Sequence, residues 1–423
     1  MCTLLAIIIV AAVVWRVYPR DKSAPPSAYF QKLSTVLAQS RIAKPVLIID
    51  RQRLTKNIDA VARHARAIGV DVRVAMKSLP SDPLLDAISE RLGTNKMMIF
   101  SIDYLKTICL LKGYVDVLLG KPMPAMALAD FYQESADHAY HPDTIADIQW
   151  LVDNMERLQD YAAIAARQNL QLKVNLEIDI GIRRGGFDNT ADVRTALEYV
   201  RNHAHLEFSG FMGYEKHVYY VAFTDNSRQR LLEECLDFYQ SCKRIAREVF
   251  GDTLPVDELT WNAAGSVTYP MYHSNAVANE LTIGSCFVKP AHFDTRTLAM
   301  HEPALYIATL VLKTAPHFLV PGLPWLARLL SYWDVNRRRS FFIFGGLWNA
   351  APVSPQGLAK NGFFGGSSNQ ECYFGAEGVD LKPGDYVFFR PNESEAVITQ
   401  FNEILVYDDG EIVDTWQPLP PAP

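Results

Sequence analysis

The sequence lacks the features that mark several large classes of protein. Its six cysteines are scattered, with no C-x-x-C pair, which argues against a disulfide framework and favours a reducing compartment. There is no internal repeat and no low-complexity tract, and glycine and proline are at ordinary levels. With 41 basic and 47 acidic residues the net charge is -6, so the chain as a whole does not attract nucleic acid.

The length and apolar content of the chain indicate a globular protein with a large core. It has 423 residues, of which 49% are hydrophobic and 21% charged. A single α/β barrel takes ~250 residues, so the chain is long enough for one barrel and a smaller partner domain.

The first 22 residues form an apolar segment. Residues 4–14 are an unbroken apolar run, and Arg16, Arg20 and Lys22 follow it while no charged residue precedes it. The run is short for a bilayer span of ~20 residues, and it lacks the basic start and the cleavage site of a secretory signal. We predict that residues 1–22 anchor a cytoplasmic body to a membrane. An interfacial segment and a wrongly assigned start are the alternatives.

From Pro45 onward, short β-branched runs alternate with longer segments of helical periodicity, which is the pattern of parallel βα repeats. Closure into an α/β fold with a (β/α)8 barrel is the simplest arrangement of such repeats. Residues 53–66 and 227–250 predict helices of its outer ring. The candidate strands are residues 46–50, 70–76, 96–99, 115–119, 148–153, 172–179, 206–214, 258–263 and 281–287, one more than a barrel needs.

After about Leu298 the pattern changes to strand-like runs punctuated by Gly, Pro and Asn, which predicts a mostly β domain over residues 299–423. The Asp409-Gly410 pair predicts a hairpin turn. Residues 316–348 combine aromatic and basic side chains, as at a membrane interface. The alternative is an insertion that packs on its own domain or on a second subunit. The candidate strands of this domain include residues 386–390, 396–399, 404–407 and 411–416.

Lys77 ends the apolar sequence V-A-M-K, where a buried ammonium group would be costly. A Schiff base with an aldehyde would remove that cost, because the bond uses the neutral amine. The carboxyl end of a barrel strand is where such a lysine would act. The alternative is a lysine that reaches solvent from the end of its strand.

Three further strand ends add polar groups. Residues 177–187, E-I-D-I-G-I-R-R-G-G-F, lead into a glycine-rich loop whose arginines would bind a phenolate or carboxylate, or form a structural Arg-Asp turn. Residues 213–217, G-Y-E-K-H, offer a phenol or imidazole ring for stacking. Residues 262–268, N-A-A-G-S-V-T, expose backbone N–H groups and the Ser266 hydroxyl, which suit a phosphate. Together these motifs predict one site at the mouth of the barrel.

In this order, and with P-V-L-I-I-D at residues 45–50 and E-L-T-I-G-S at residues 280–285, the motifs resemble the fold-type III pyridoxal 5′-phosphate (PLP) enzymes. Within them the sequence most resembles the D-threonine aldolase and D-serine dehydratase-like group, over about residues 45–416. The resemblance implies an alanine racemase-like PLP-binding barrel over residues 51–298, followed by a D-serine dehydratase-like β domain. It also implies that residues 23–50 contain a first strand that packs on the β domain.

The resemblance implies a role for each residue of the site. Lys77 would hold PLP as a Schiff base, and Arg184 would approach the ring oxygen of the cofactor or the substrate. His217 or Tyr214 would pack on the pyridine ring. Lys77, Arg184 and His217 are therefore the candidate catalytic residues. The phosphate would lie against glycine and serine residues at two strand ends, namely Gly265, Ser266, Gly284 and Ser285.

The sequence departs from this group at two places. Lys77 is followed by Ser78 where the group usually carries a histidine, so an acid–base group is missing or supplied elsewhere. The C-terminal metal pair of the group, His-x-Cys or His-x-Asp, reads Glu393 and Glu395 here. Carboxylates favour Mg²⁺ or Mn²⁺ over Zn²⁺, so the alternatives are a changed divalent metal and a lost site.

These observations predict a PLP-dependent lyase, of the dehydratase or aldolase type, for a D-configured β-hydroxy amino acid. An amino-acid racemase or epimerase is the alternative enzyme, because racemisation needs no metal at the substrate hydroxyl. A non-catalytic, membrane-associated PLP-binding protein is a third hypothesis. The resemblance also implies a homodimer, and the N-terminal segment predicts membrane contact.

Overall fold

β-branched runs form the strands of the barrel, and amphipathic segments between them form its helices. The computed structural model describes residues 18–135, 140–251, 254–255 and 258–421. The strands are β1 (Val46–Asp50), β2 (Asp71–Ala75), β3 (Lys96–Ile99), β4 (Asp116–Leu119), β5 (Gln149–Val152), β6 (Leu172–Ile178), β7 (Leu206–Gly213), β8 (Thr260–Ala263), β9 (Glu280–Ile283), β10 (Leu305–Ala315), β11 (Arg339–Phe344), β12 (Ala350–Ser354), β13 (Ala359–Lys360), β14 (Gln370–Gly375), β15 (Tyr386–Pro391), β16 (Ile404–Asp408) and β17 (Glu411–Trp416). The helices are α1 (Ala28–Gln39), α2 (Arg51–Ile68), α3 (Asp82–Leu92), α4 (Ile102–Leu111), α5 (Ala125–Ser135), α6 (Pro142–Asp147), α7 (Met155–Gln168), α8 (Thr190–Arg201), α9 (His217–Val221), α10 (Asp225–Phe250), α11 (Pro324–Trp333) and α12 (Glu395–Ile398).

Strands β2 to β9 close into a parallel barrel. Each strand pairs with the next along the chain, and β9 returns to pair with β2, where Glu280 lies opposite Asp71. The long helix α10 begins at a capping box between Thr224 and Ser227 and buries side chains such as Tyr239 at helical spacing. This closed barrel with outer helices confirms the predicted fold class.

The amino-terminal end of the barrel interior is polar, where barrels usually carry branched aliphatic side chains. The fully buried Arg73 guanidinium donates to both carboxylate oxygens of Glu280, at 2.6 and 2.9 Å, and to Asp116 at 2.9 Å. Lys96 also donates to Glu280. Burial alone would raise the pKa of Glu280, but the charge of Arg73 and its hydrogen bonds lower that pKa to about 2. A cavity of about 370 Å³ opens at this end, opposite the predicted site.

The second compact unit combines the described residues 18–52 with Pro303–Gln417. Its sheet runs in the order β13-β14-β11-β10-β1-β16-β17, with β15 pairing with β10 and β12. Ile48 lies opposite Tyr306 of antiparallel β10 and opposite Leu405 of parallel β16. The first candidate strand therefore belongs to this sheet, which accounts for the ninth strand of the sequence pattern.

The structure confirms one predicted turn of this unit and corrects one predicted strand. Asp409 and Gly410 join antiparallel β16 and β17 with φ of 43° and 100°, as a type I′ hairpin turn requires. The prediction of a strand at residues 396–399 is wrong, because Val397 and Ile398 lie in α12. Two adjacent apolar residues do not define a period of two, and a single helical turn buries both of them.

Residues 316–348 belong to the β unit, and the segment as a whole is not an insertion. Strand β11 pairs with β10 and β14 and so lies inside the sheet. Arg337 lies over the rings of Phe318 and Phe374, 5.3 and 5.1 Å from their centroids, so part of the basic and aromatic content packs within this unit.

Residues 1–17, on which the predicted anchor rests, lie outside the described residues, and no described helix is long and apolar enough to cross a membrane.

Candidate active site

The predicted catalytic and cofactor-binding residues all follow the carboxyl ends of barrel strands. Lys77 follows β2, Arg184 follows β6, and Tyr214 follows β7. Gly265 and Ser266 follow β8, and Gly284 and Ser285 follow β9. Because the strands are parallel, these ends meet at one mouth of the barrel, which is where α/β barrels place their active sites.

Lys77 lies in a 3₁₀ turn directly after β2. Its neighbours Met76 and Ser78 are buried, whereas Lys77 itself is exposed at the mouth. The Nζ atom lies 4.6 Å from the ring centroid of Phe100, which follows β3. A Cβ atom on Gly120 would lie 2.3 Å from that ring, so the glycine gives Phe100 its place. Sequence reasoning missed Phe100, although its position just after a predicted strand was a usable signal.

The strand end of β9 packs directly on the turn that carries Lys77. The Ser285 hydroxyl donates a 3.0 Å hydrogen bond to the Ser78 hydroxyl. A Cβ atom on Gly284 would lie 2.9 Å from the Cβ of Ala75 and 3.1 Å from that of Ser78. The glycine is therefore needed for this close approach, and a larger residue would displace the lysine turn.

Ser266 joins the ends of β8 and β9. Its buried hydroxyl oxygen accepts hydrogen bonds from the amides of Gly284, at 3.2 Å, and Cys286, at 3.1 Å. Because both lone pairs are used, the hydroxyl hydrogen is left to donate elsewhere. Within the part of the chain that the structure describes, the amides of Ser266 and Ser285 donate to no backbone carbonyl. These donors form a cluster suited to an anion.

The side chain of Glu215 stabilises the turn after β8 by hydrogen bonds. This fully buried carboxylate accepts from the amide of Ala264 at 3.1 Å and from the hydroxyl of Thr268. Ala264 has a φ of 68°, in the left-handed region that a non-glycine residue adopts only when it is held there. Burial raises the pKa of Glu215. Sequence reasoning named the G-Y-E-K-H motif but gave this glutamate no role.

Tyr214 contacts both Arg184 and Gly265, which lies in the turn after β8. A Cβ atom on Gly265 would lie 2.7 Å from the Tyr214 ring, so ring and glycine are in close contact. The guanidinium carbon of Arg184 lies 5.2 Å from the centroid of the same ring, a cation–π distance. The structure therefore brings Arg184, Tyr214 and Gly265 together.

The loop that carries Arg184 folds back on β6. The Phe187 amide donates a 2.8 Å hydrogen bond to the Glu177 carbonyl, and the Asp179 carboxylate accepts from the amides of Gly181 and Arg183. Burial raises the pKa of Glu177, while the charge of Arg184 acts to lower it. The predicted Arg-Asp turn is present as well, as a 3.6 Å contact between Arg183 and Asp188.

His217 lies on the other side of this loop. A Cβ atom on Gly181 would lie 2.8 Å from its Nε2 atom, and the Cys235 Sγ of α10 lies 3.7 Å from Nε2. Its Nδ1 atom is buried without a hydrogen-bond partner among the described residues, and burial lowers the pKa of the ring. Of the two predicted ring-stacking residues, Tyr214 rather than His217 therefore contacts Gly265.

The predicted metal ligands belong to the β unit. Glu393 is exposed, and Glu395 is the half-buried first residue of α12. Within the described ranges, no three histidine, cysteine or acidic side chains come close enough together to hold a metal ion.

A closed parallel α/β barrel in a chain that also forms a separate β domain is the architecture of the fold-type III PLP enzymes. Residues 49–250 match the family described as alanine racemase, N-terminal domain. The chain thus has the fold-type III architecture, and its barrel is similar to the alanine racemase N-terminal domain over residues 49–250.

Solved structures share this fold at low sequence identity. D-threonine aldolase from Filomicrobium marinum is 16% identical, with a TM-score of 0.69 over 89% of this chain and 96% of that one. D-threo-3-hydroxyaspartate dehydratase from Delftia sp. HT23 is 16% identical, with a TM-score of 0.70 over 90% and 98%. Alanine racemase from Clostridium difficile 630 is 12% identical, with a TM-score of 0.64 over 88% and 98%. No curated protein matches the chain in sequence.

Proposed function

We propose that this protein is a PLP-dependent lyase that acts on a D-configured β-hydroxy amino acid. The observation that carries the proposal is the hydrogen-bonded path from Ser78, beside Lys77, to Ser285, and from the adjacent Gly284 to Ser266. This path joins an exposed lysine to a donor cluster suited to a phosphate, on a barrel of the alanine racemase type.

The donor cluster fits the phosphate of PLP. At neutral pH a phosphate group carries at most one proton, so its oxygens act mainly as hydrogen-bond acceptors. Its binding site must therefore supply donors. The Ser266 hydroxyl and the amides of Ser266 and Ser285 are such donors, and Gly265 and Gly284 keep the approach free of side-chain atoms. These residues would hold the phosphate, and Lys77 would hold the aldehyde carbon covalently.

Bound PLP supplies an electron sink for the electron pair that is left at Cα of an amino acid. The chain must then deliver and remove protons around that carbon. The Lys77 amine, exposed at the mouth of the barrel, is the proposed base at Cα. Arg184 would balance negative charge on the cofactor or the substrate, and Tyr214 would hold its guanidinium in place. Glu177, whose pKa is raised, is suited to keep a proton beside it.

The choice of a lyase rests on the sequence resemblance and on the architecture shared with an aldolase and a dehydratase of D-configured substrates. In both reaction types a bond at Cβ is made or broken, and a metal that binds the β-hydroxyl lowers the barrier. Glu393 and Glu395 are the proposed protein ligands of Mn²⁺ or Mg²⁺.

A racemase or epimerase is the second candidate function. It is favoured by the glutamates at the metal-ligand positions and by the exposed position of Glu393. Exchange of the proton at Cα needs a positioned base but no metal at the β-hydroxyl. For either function we propose a homodimer, which sedimentation of the purified protein would test.

One product analysis separates these functions. Purified protein with PLP would be followed by NMR in deuterated buffer with D-serine, D-threonine and D-threo-3-hydroxyaspartate, with Mn²⁺ or with a chelator. A keto acid with ammonia, or glycine with an aldehyde, supports the lyase. Cα deuteration alone supports the racemase. If Lys77→Ala is as active as the wild type, or if no substrate changes, both proposals are wrong.

A further inference from the structure

We propose that the outer face of helix α11, together with Tyr18, binds the interfacial region of a lipid bilayer that contains anionic lipid. The residues concerned all belong to the β unit, so the proposal does not depend on the cofactor or on the reaction.

The outer face of α11 is apolar where a surface helix is normally polar. Its inner side packs Ala327, with Leu326 and Leu330, against Phe318 and Val320. The opposite side exposes four large side chains to 44–81% of their area, with Arg328 among them. The four are Trp325, Leu329, Tyr332 and Trp333.

The composition of this outer face matches a bilayer interface. Tryptophan and tyrosine concentrate at the headgroup level of membranes, because each has an apolar body and a polar tip. Trp325, Leu329 and Tyr332 are spaced by four and three residues, so they lie on one side of the helix. A helix with such a face would lie in the plane of the membrane.

The chain that leads to the apolar N-terminal run passes beside this helix. Tyr18 contacts Trp333 in an edge-on arrangement, with ring centroids 5.7 Å apart. Asn336, shortly after α11, donates to the carbonyl of Arg20 and accepts from the amide of Lys22. The apolar residues 4–14 of the sequence therefore precede a segment that is fixed next to α11. A bilayer that receives the run would lie close to the helix.

The charges around the helix have the sign that anionic lipid requires. Arg328 lies on the helix, Arg337 and Arg338 follow it closely in sequence, and Asn336 holds the backbone of Arg20 and Lys22 nearby; Asp21 and Asp334 are the acidic residues of the same segments. Asp334 is already paired with Arg337 at 3.3 Å. Each basic residue near an anionic surface adds ~1 kcal/mol of attraction.

A second copy of the chain is a poorer occupant of this face. A stable protein–protein interface buries ~800 Å² on each partner. A helix of 10 residues is only about 15 Å long, so one of its faces supplies a small part of that area. A bilayer has no such size requirement.

The test uses the full chain and vesicles of phosphatidylcholine, with or without phosphatidylserine. Flotation would be compared for the wild type and for Trp325→Glu/Tyr332→Glu. The matched control is Met126→Glu, which changes a similarly exposed apolar side chain of the barrel unit. We expect binding to phosphatidylserine vesicles to fall about tenfold in the double variant only. Thermal unfolding of each variant shows whether it is folded, and Trp325→Phe with brominated lipid gives a second readout.

Brominated lipid quenches tryptophans that enter the bilayer, so Trp325→Phe should remove part of the quenching. Three outcomes would overturn the proposal. The first is unchanged binding and quenching in the α11 variants, which would assign any binding to the N-terminal run alone. The second is a protein that binds no vesicles. The third is self-association without lipid that the double variant abolishes, which would assign the face to a second copy.

Discussion

The hydroxyl of Ser285 donates a hydrogen bond to that of Ser78, although the two residues are 207 positions apart in the chain. The bond joins the last strand of the barrel to the first and fixes the turn that carries Lys77. The turn that carries the lysine and the strand end that carries Ser285 are thereby hydrogen-bonded to each other.

Substitution of Gly284 tests this packing. In Gly284→Ala the new Cβ would lie 2.9 Å from the Cβ of Ala75, so the lysine turn must shift. We expect the dissociation constant for PLP to rise about tenfold, because overpacking by one methyl group costs ~1–3 kcal/mol. The control is Gly113→Ala, where nothing lies within 4 Å. Equal affinities for the two variants would contradict the proposed packing.

Removal of the Ser266 hydroxyl tests the donor cluster. Ser266→Ala takes away the acceptor of two amides and one proposed donor to the phosphate. A hydrogen bond to a charged group contributes ~1.5–3 kcal/mol, so PLP affinity should fall at least about tenfold in equilibrium titration. Ser209→Ala is the control, since that buried hydroxyl has no partner in the described structure. A phosphate bound elsewhere would leave both variants like the wild type.

The buried pair of Arg73 and Glu280 makes the barrel sensitive to acid. The pKa of Glu280 falls from an ordinary 4.5 to about 2 in the folded state. The stabilisation is therefore present above pH ~4.5 and is lost as the pH falls towards 2. Denaturant unfolding at successive pH values measures this loss.

Glu280→Gln would remove the fully buried countercharge of Arg73 and leave only the partly exposed Asp116 as its acidic partner. We expect the free energy of unfolding at pH 7 to fall by ~3–5 kcal/mol. Arg296→Ala breaks an exposed ion pair with Asp225 and should change it by less than ~1 kcal/mol. A loss in Glu280→Gln no larger than in this control would contradict the buried network.

A chelator tests the proposed metal ligands. If Glu393 and Glu395 bind Mn²⁺ or Mg²⁺, chelation should abolish the lyase reaction, and added Mn²⁺ should restore it in the wild type. Glu393→Gln/Glu395→Gln should need much more Mn²⁺, whereas Glu411→Gln, an exposed glutamate of β17, should behave like the wild type. Lyase turnover that neither the chelator nor the double variant affects would show that the pair is not a metal site.

The sequence pattern predicts the barrel because burial imposes local periods. Alternating β-branched and amphipathic segments determine strand and helix from neighbouring residues, so each barrel strand was placed at or near its observed position. The short helix at Glu395–Ile398 was missed because two apolar residues carry no period. The pairing order of the β unit depends on residues far apart, and no local pattern encodes it.

The candidate site was predictable in its strand ends but not in its contacts. The parallel arrangement alone brings Lys77, Tyr214 and Ser266 to one mouth. The bond between Ser78 and Ser285, the ring of Phe100 beside Lys77, and the support of Ala264 by Glu215 depend on three-dimensional packing. The polar barrel interior around Arg73 was missed for the same reason.

Covalent capture of PLP tests the central claim most directly. Purified protein would be incubated with PLP, reduced with borohydride and mapped by peptide mass spectrometry. We predict one modified residue, Lys77, and no modification in Lys77→Ala. Lys243 is an internal comparison, because burial lowers the pKa of its amine to about 8. Cofactor on Lys243 or on scattered surface lysines, with none on Lys77, would contradict the account.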